Sequence, residues 1–180
     1  MIGIPLGWAY SNFGEWALHK YVLHGLGRHR GSFWGFHWHE HHQASRKHDM
    51  LDDQYLRSLW TWSAQTKELL GLAAVALAHA PLFPVAPFFV GTVWACAVNY
   101  YRVHRRAHLE PQWAREHLPW HYDHHLGTDQ NANWCVTHPF FDNLLGTRRE
   151  YLGVQPSASA VPVVPMGTGE RLTSASPAHP

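Results

Sequence analysis

Ten histidines, gathered in four short clusters, carry the spacing of metal ligands: His19 and His24 in HKYVLH, His37, His41 and His42 in FHWHEHH, His104 and His108 in HRRAH, and His121, His124 and His125 in HYDHH. On an α-helix at about 100° per residue, residues four apart share a face. His121 and His125 therefore point together while His124 turns to the other side, so that cluster can reach two ions. His37 and His41 share a face, and His42 is rotated by about a further 100°. His39 faces away from His37 and is the substitute ligand, since it can pair with His42. His19 and His24, five apart, differ by about 140°, which suits two ions side by side. His104 and His108 are again four apart, and His117, four before His121, is a further candidate ligand or a partner to one. Ten imidazoles over two ions give about five each, leaving a six-coordinate ion one position for chemistry. A structural zinc site is closed by four ligands, so ten are too many for it. Imidazole serves Fe, Zn, Cu and Ni alike, so the residue type fixes the ligand and not the element.

The elements that must position these clusters follow from the charge map. Charged residues are 15% of the chain, against about 25% in an ordinary soluble protein. All 14 Lys and Arg lie at or before Lys67 or at or after Arg102, and no acid falls between Glu68 and Glu110. Leu69 to Tyr101 is thus a charge-free, apolar interval, broken near its middle by Pro81, Pro84 and Pro87. A spanning helix needs about 20 apolar residues. The interval predicts two short apolar helices joined by a Pro-rich turn, with Trp60, Trp62, Tyr100 and Tyr101 at the level of lipid headgroups. With every basic residue on one side, that side is expected to be cytoplasmic. A buried hairpin in a water-soluble fold is the alternative. The expected fold class is all-α, an integral membrane helical hairpin with a cytoplasmic helical cap carrying the histidines. Residues 1–152 form one domain, and 153–180, rich in Pro, Ser, Ala and Val, form a disordered tail.

Local signals fill in the rest. Asn12 with Glu15 three residues on reads as a capping box opening the helix that carries HKYVLH. Asp52 and Asp53 read as caps of the helix that runs into the apolar interval from about Gln54. Glu40 and Asp123 are the only acids inside the clusters and are expected behind the ligands. A net charge of +1 argues against nucleic acid. Cys96 and Cys135 match no zinc or redox spacing, so a reducing compartment is the default. The opening MIGIPLGW has no basic region of a signal peptide.

In order and spacing, HKYVLH, FHWHEHH, HRRAH and HYDHH, followed by NWCVTHPFFDNLLGT, resemble the fatty acid hydroxylase (sterol desaturase) superfamily over roughly Phe13 to Thr147. The resemblance implies a membrane oxidoreductase with two iron ions, replaceable by zinc on purification. It would use O₂ to hydroxylate or desaturate a lipid C–H bond, such as that of a fatty acyl chain or sterol. Carried over cluster by cluster, it implies one metal on His19, His37, His41, His121 and His124, and the other on His24, His42, His104, His108 and His125. Three features depart from the family: three residues rather than two precede the His-His of the second cluster, His138 replaces a small polar residue, and only about a dozen residues precede the first cluster. Carotenoid hydroxylases share a similar arrangement. No haem segment, Gly-rich fingerprint or cysteine cluster supplies electrons, which implies a ferredoxin or cytochrome docking on the basic face. A non-catalytic membrane protein that stores or senses zinc is the rival from another class. A zinc hydrolase is disfavoured because no carboxylate stands at HExxH spacing.

Overall fold

The computed structural model describes residues 1–151, so the tail expected over 153–180 lies outside the described residues. The described residues contain helices and turns and no strand, an all-α fold. Helix α1 spans Gly3–Ala17 and runs on without a break into a π-helical segment, Leu18–Gly25. A second π-helical segment, His37–His41, leads into α2, His42–Lys47. Then come α3, Ala64–His79, and α4, Pro87–Leu109, joined by a 3₁₀ turn over Ala80–Leu82. Three short helices follow: α5, Pro111–His117, α6, Pro119–Leu126, and α7, Phe140–Leu144. Helices α4, α5 and α6 each open with proline, whose fixed φ and missing N–H suit the first helical position.

The apolar interval does fold as two helices around a turn, but among the described residues no helix is long and apolar enough to cross a membrane. Helix α1 joins this hairpin. It lies against α4 so closely that a Cβ on Gly7 would come 2.8 Å from the Thr92 Cβ, and one on Gly3 2.8 Å from the Phe89 nitrogen. The apolar core beneath is small. One cluster gathers Met50, Ala107, Ala114 and Leu118, and another gathers Trp16, Trp134 and Cys135. Most of the largest fully buried side chains are histidines.

Two expected caps are placed differently. Asn12 and Glu15 sit inside α1, not at its start, because the helix begins nine residues earlier, at Gly3. Both grip the segment before α7: Asn12 Nδ2 donates to the His138 carbonyl at 2.8 Å, and the Glu15 carboxylate accepts from the Val136 and Thr137 N–H groups at 3.0 and 2.8 Å. Asp52 does cap, accepting from Gln54 N at 3.0 Å, but it opens only the 3₁₀ turn Asp53–Leu56. Ser63 caps α3. Asp142 holds the same segment from the other side, accepting from the Trp134 and Cys135 N–H groups at 2.8 and 2.7 Å and from the Thr147 hydroxyl at 2.7 Å. Asn133, just before these contacts, has φ 59°, the left-handed region that asparagine tolerates better than most residues.

Asp142→Ala leaves two buried N–H groups unpaired, each worth about 1–3 kcal/mol. The variant should unfold at a distinctly lower temperature than the parent in a thermal melt; an unchanged midpoint would mean that Asp142 does not organise this segment.

Candidate metal centre

The π-helical segments decide how the histidines are grouped. With N–H groups bonded five residues back, each turn takes in more residues, and side chains at i and i+5 come onto one face. His19 and His24 therefore converge, as do His37 and His42. Two groups result: His19, His24, His37, His42 and His124 in the first, and His41, His104, His108 and His125 in the second, each with one ring nitrogen per residue lying within 4.8 Å of the others. All nine are buried. His121 is fully buried beside the second group, its Nε2 3.2 Å from His108 Nε2.

Two expectations about sharing are corrected. His19 and His24 fall in one group and His37 and His41 in different groups, because both pairs lie in π-turns and not in α-helical ones. The ligand division implied by the family resemblance changes accordingly: His24 and His42 move to the first group, and His41 and His121 to the second. His39 is in neither group; its Nε2 bonds the Arg28 carbonyl at 2.9 Å. His117 is exposed and bonds the Trp113 carbonyl of its own helix.

Outer contacts set the tautomers. His19 Nδ1 donates to the Trp134 carbonyl at 2.6 Å, His124 Nδ1 to that of Ala132 at 2.7 Å, and His108 Nδ1 to that of Met50 at 2.8 Å. His42 Nδ1 donates to Gln130 Oε1 at 2.9 Å, His41 Nδ1 to Asp52 at 2.8 Å, and His104 Nδ1 to Glu68 at 3.0 Å. Carbonyl and amide oxygens can only accept, so on His19, His124, His108 and His42 the hydrogen is on Nδ1 and Nε2 is left as a bare lone pair.

These bare nitrogens face one another. His42 Nε2 and His124 Nε2 are 3.1 Å apart, and neither has a hydrogen to share. Across the first group, His19–His37, His24–His42, His37–His42 and His24–His124 Nε2 pairs lie at 2.9–3.2 Å. Neighbouring ligands on a six-coordinate ion with bonds of about 2.1 Å are about 3.0 Å apart, and on a tetrahedral ion about 3.4 Å. The first group thus has the spacing of ligands arranged octahedrally. In the second group, the Nε2 atoms of His41, His104 and His125 are buried without any partner.

Charge favours the same reading. Burial, followed by the neighbouring imidazoles, holds His19, His37, His41, His42, His108, His121 and His125 well below the ordinary histidine pKa. His24 is lowered to about 2 and His124 to about 4, again mainly by burial. Neutral imidazoles are what a metal ion needs. The buried histidine clusters can hold metal ions.

The acids behind the ligands are not those expected from the clusters. Glu40 pairs with Lys67 Nζ at 2.8 Å, and Asp123 with Arg148 at 3.3 Å, neither against a histidine ring. Asp52 and Glu68 take that role, with Tyr55 bonded to both Glu68 and His104 Nδ1. No local spacing marks Asp52. Glu68 does carry a signal, as the last acid before the charge-free interval.

Residues of α1, α3 and α4, together with several of the histidines, line a cavity of about 500 Å³. Its walls are mainly apolar, including Leu18, Val22, Leu72, Val75 and Val93. His19 and His37 of the first group and His104 of the second reach its inner end, beside Glu15, Glu68 and Tyr100. Glu68 Oε1 is buried there without a partner. Tyr10 and His79 line the far end.

No model of a known protein family, no curated protein and no solved structure matches this chain.

Metal analysis of purified variants tests the grouping. His39→Ala and His117→Ala should keep the parent's metal content, whereas His124→Ala should lose about half of it. Asp52→Ala should weaken metal binding at the second group by about 10–100-fold, the usual effect of removing such a partner. Metal loss in His39→Ala equal to that in His124→Ala would contradict the arrangement.

Proposed function

We propose that this chain is a two-metal oxidoreductase that inserts oxygen into, or removes hydrogen from, a C–H bond of a lipid. The observation that carries the reading is the cavity, an apolar space of about 500 Å³ whose inner end is formed by imidazoles of both histidine groups. That volume lies in the range of pockets that enclose a small ligand. Sites that only store or sense zinc need no apolar chamber opening onto the ligands. The ten histidines and their order support the same reading by their resemblance to the fatty acid hydroxylase superfamily.

Two bound iron ions would supply O₂ activation, with electrons from an external ferredoxin or cytochrome donor. The chain's own residues do the rest. Leu72, Val75 and Val93 hold an apolar chain or ring and exclude water from it. His19, His37 and His104 fix the end at which a C–H bond meets the site. Asp52, Glu68 and the Trp134, Ala132 and Met50 carbonyls keep the ligand rings in one orientation. The α3–α4 hairpin is the membrane-facing part, with the histidines on the cytoplasmic side.

The experiment is a reconstituted assay with iron, O₂, an electron donor and lipid extract that includes carotenoids, read by mass spectrometry for a gain of one oxygen or a loss of two hydrogens. His108→Ala disturbs only the second group, so it should lose about one metal equivalent but nearly all product. Product that survives in His108→Ala, or is absent from the iron-loaded parent across broad lipid pools, would contradict the proposal.

A further inference from the structure

Three runs without a formal charge lie side by side at one end of the molecule. They are Gly3–Gly14 of α1, Leu69–His79 of α3 and Pro87–Tyr101 of α4. The Gly3 and Gly7 contacts with Phe89 and Thr92 put the start of α1 at the hairpin tip, so α1 and α4 descend together while α3 ascends. Large apolar side chains are exposed around the whole lobe: Ile2 76%, Leu6 56%, Leu77 72%, Val85 82%, Phe88 56% and Val98 60%. They lie on all three helices and the tip, so one flat partner could not cover them. Such surface is far from what water tolerates on a monomer.

Several polar groups of the lobe are paired within it. The Tyr10 hydroxyl donates to His79 Nε2 at 3.0 Å, and His79 Nδ1 donates to the Val75 carbonyl at 2.7 Å. Trp94 Nε1 donates to the Ala76 carbonyl at 3.0 Å, and the Thr92 hydroxyl to that of Phe88 at 2.7 Å. Hydrocarbon demands this internal pairing. At the base the chemistry changes to exposed Arg102, Trp60 and Trp62, with Arg57 paired to Asp53 beside them, a polar and aromatic collar suited to the headgroup layer.

At 1.5 Å per residue, the runs of 12, 11 and 15 residues reach about 18, 16 and 22 Å. The hydrocarbon core is about 30 Å thick, so each run passes one leaflet's depth and stops short of the far headgroups. We propose that the three-helix lobe of α1, α3 and α4 enters the bilayer from one face and ends inside it, held at the entry face by the collar. The cavity runs inside the lobe from the Tyr10–His79 pair to the histidines, so an apolar ligand reaches the metal centre directly from the acyl layer. This rests on the membrane reading of the hairpin and not on the reaction.

The test uses the full chain reconstituted into vesicles of phosphatidylcholine and phosphatidylglycerol. A thiol-reactive fluorophore is placed on Val85→Cys in a Cys96→Ala background, Cys135 being fully buried. The protein should float with the vesicles. The tip label should be quenched by lipids brominated deep in their chains and should be inaccessible to aqueous quencher on either side. Val85→Asp with Leu77→Asp should lower the vesicle-bound fraction at least tenfold, with helicity and metal content unchanged. Quenching of the tip by reagent trapped in the vesicle lumen would show a crossing lobe and overturn one-sided entry while leaving the membrane reading. A chain that does not float, and sediments as a dimer split by the two aspartates, would show that a second copy covers the lobe, and would overturn both.

Discussion

Bare imidazole nitrogens packed against one another cannot be stable by themselves, and the rest of this structure depends on that constraint. His42 and His124 each give their one ring hydrogen to a partner outside the centre, and then face each other at 3.1 Å. Buried lone pairs at that distance repel, and each nitrogen is also cut off from water. A cation between them turns the repulsion into coordination. Metal-ligand bonds formed there would take over much of the work of the apolar core that a chain of this size otherwise needs. This is why the true hydrophobic clusters, around Met50 and Trp134, are so small.

Everything near the centre serves that convergence. The π-turns bring i and i+5 residues together, and two left-handed residues help to present carbonyls. Met50 has φ 79° and offers its carbonyl to His108; Asn133, with φ 59°, stands between Ala132 and Trp134, whose carbonyls hold His124 and His19. Such conformations cost about 1–3 kcal/mol each and persist where surrounding contacts enforce them. Around Asn133 those contacts come from Asp142 and Glu15, which grip the segment from opposite sides. The chain so distant from the first cluster in sequence becomes its immediate support.

Much of this was legible in the residues. The four clusters and the two-helix apolar hairpin follow from spacing and charge, and the all-helical class agrees with what the family resemblance implies. The sorting of ligands was not legible, because the choice between α and π turns at Leu18–Gly25 and His37–His41 leaves no mark in spacing. Nor was the role of α1. Its first twelve residues lack charge, yet only the close approach allowed by Gly3 and Gly7 shows that it completes a lobe with α3 and α4. Asn12 and Glu15 have the types of a capping box, and their distant partners could not be read from neighbours in the chain. Asp52 is likewise a non-local partner of His41.

The central claim is that the histidines form two separate centres, sorted by the π-turns. Anomalous X-ray diffraction at the iron edge, from crystals of the iron-loaded chain, tests it most directly. The account predicts two peaks, one ringed by His19, His24, His37, His42 and His124, the other by His41, His104, His108 and His125. A single peak shared by His37 and His41, or two peaks that each take one of His19 and His24, would contradict it.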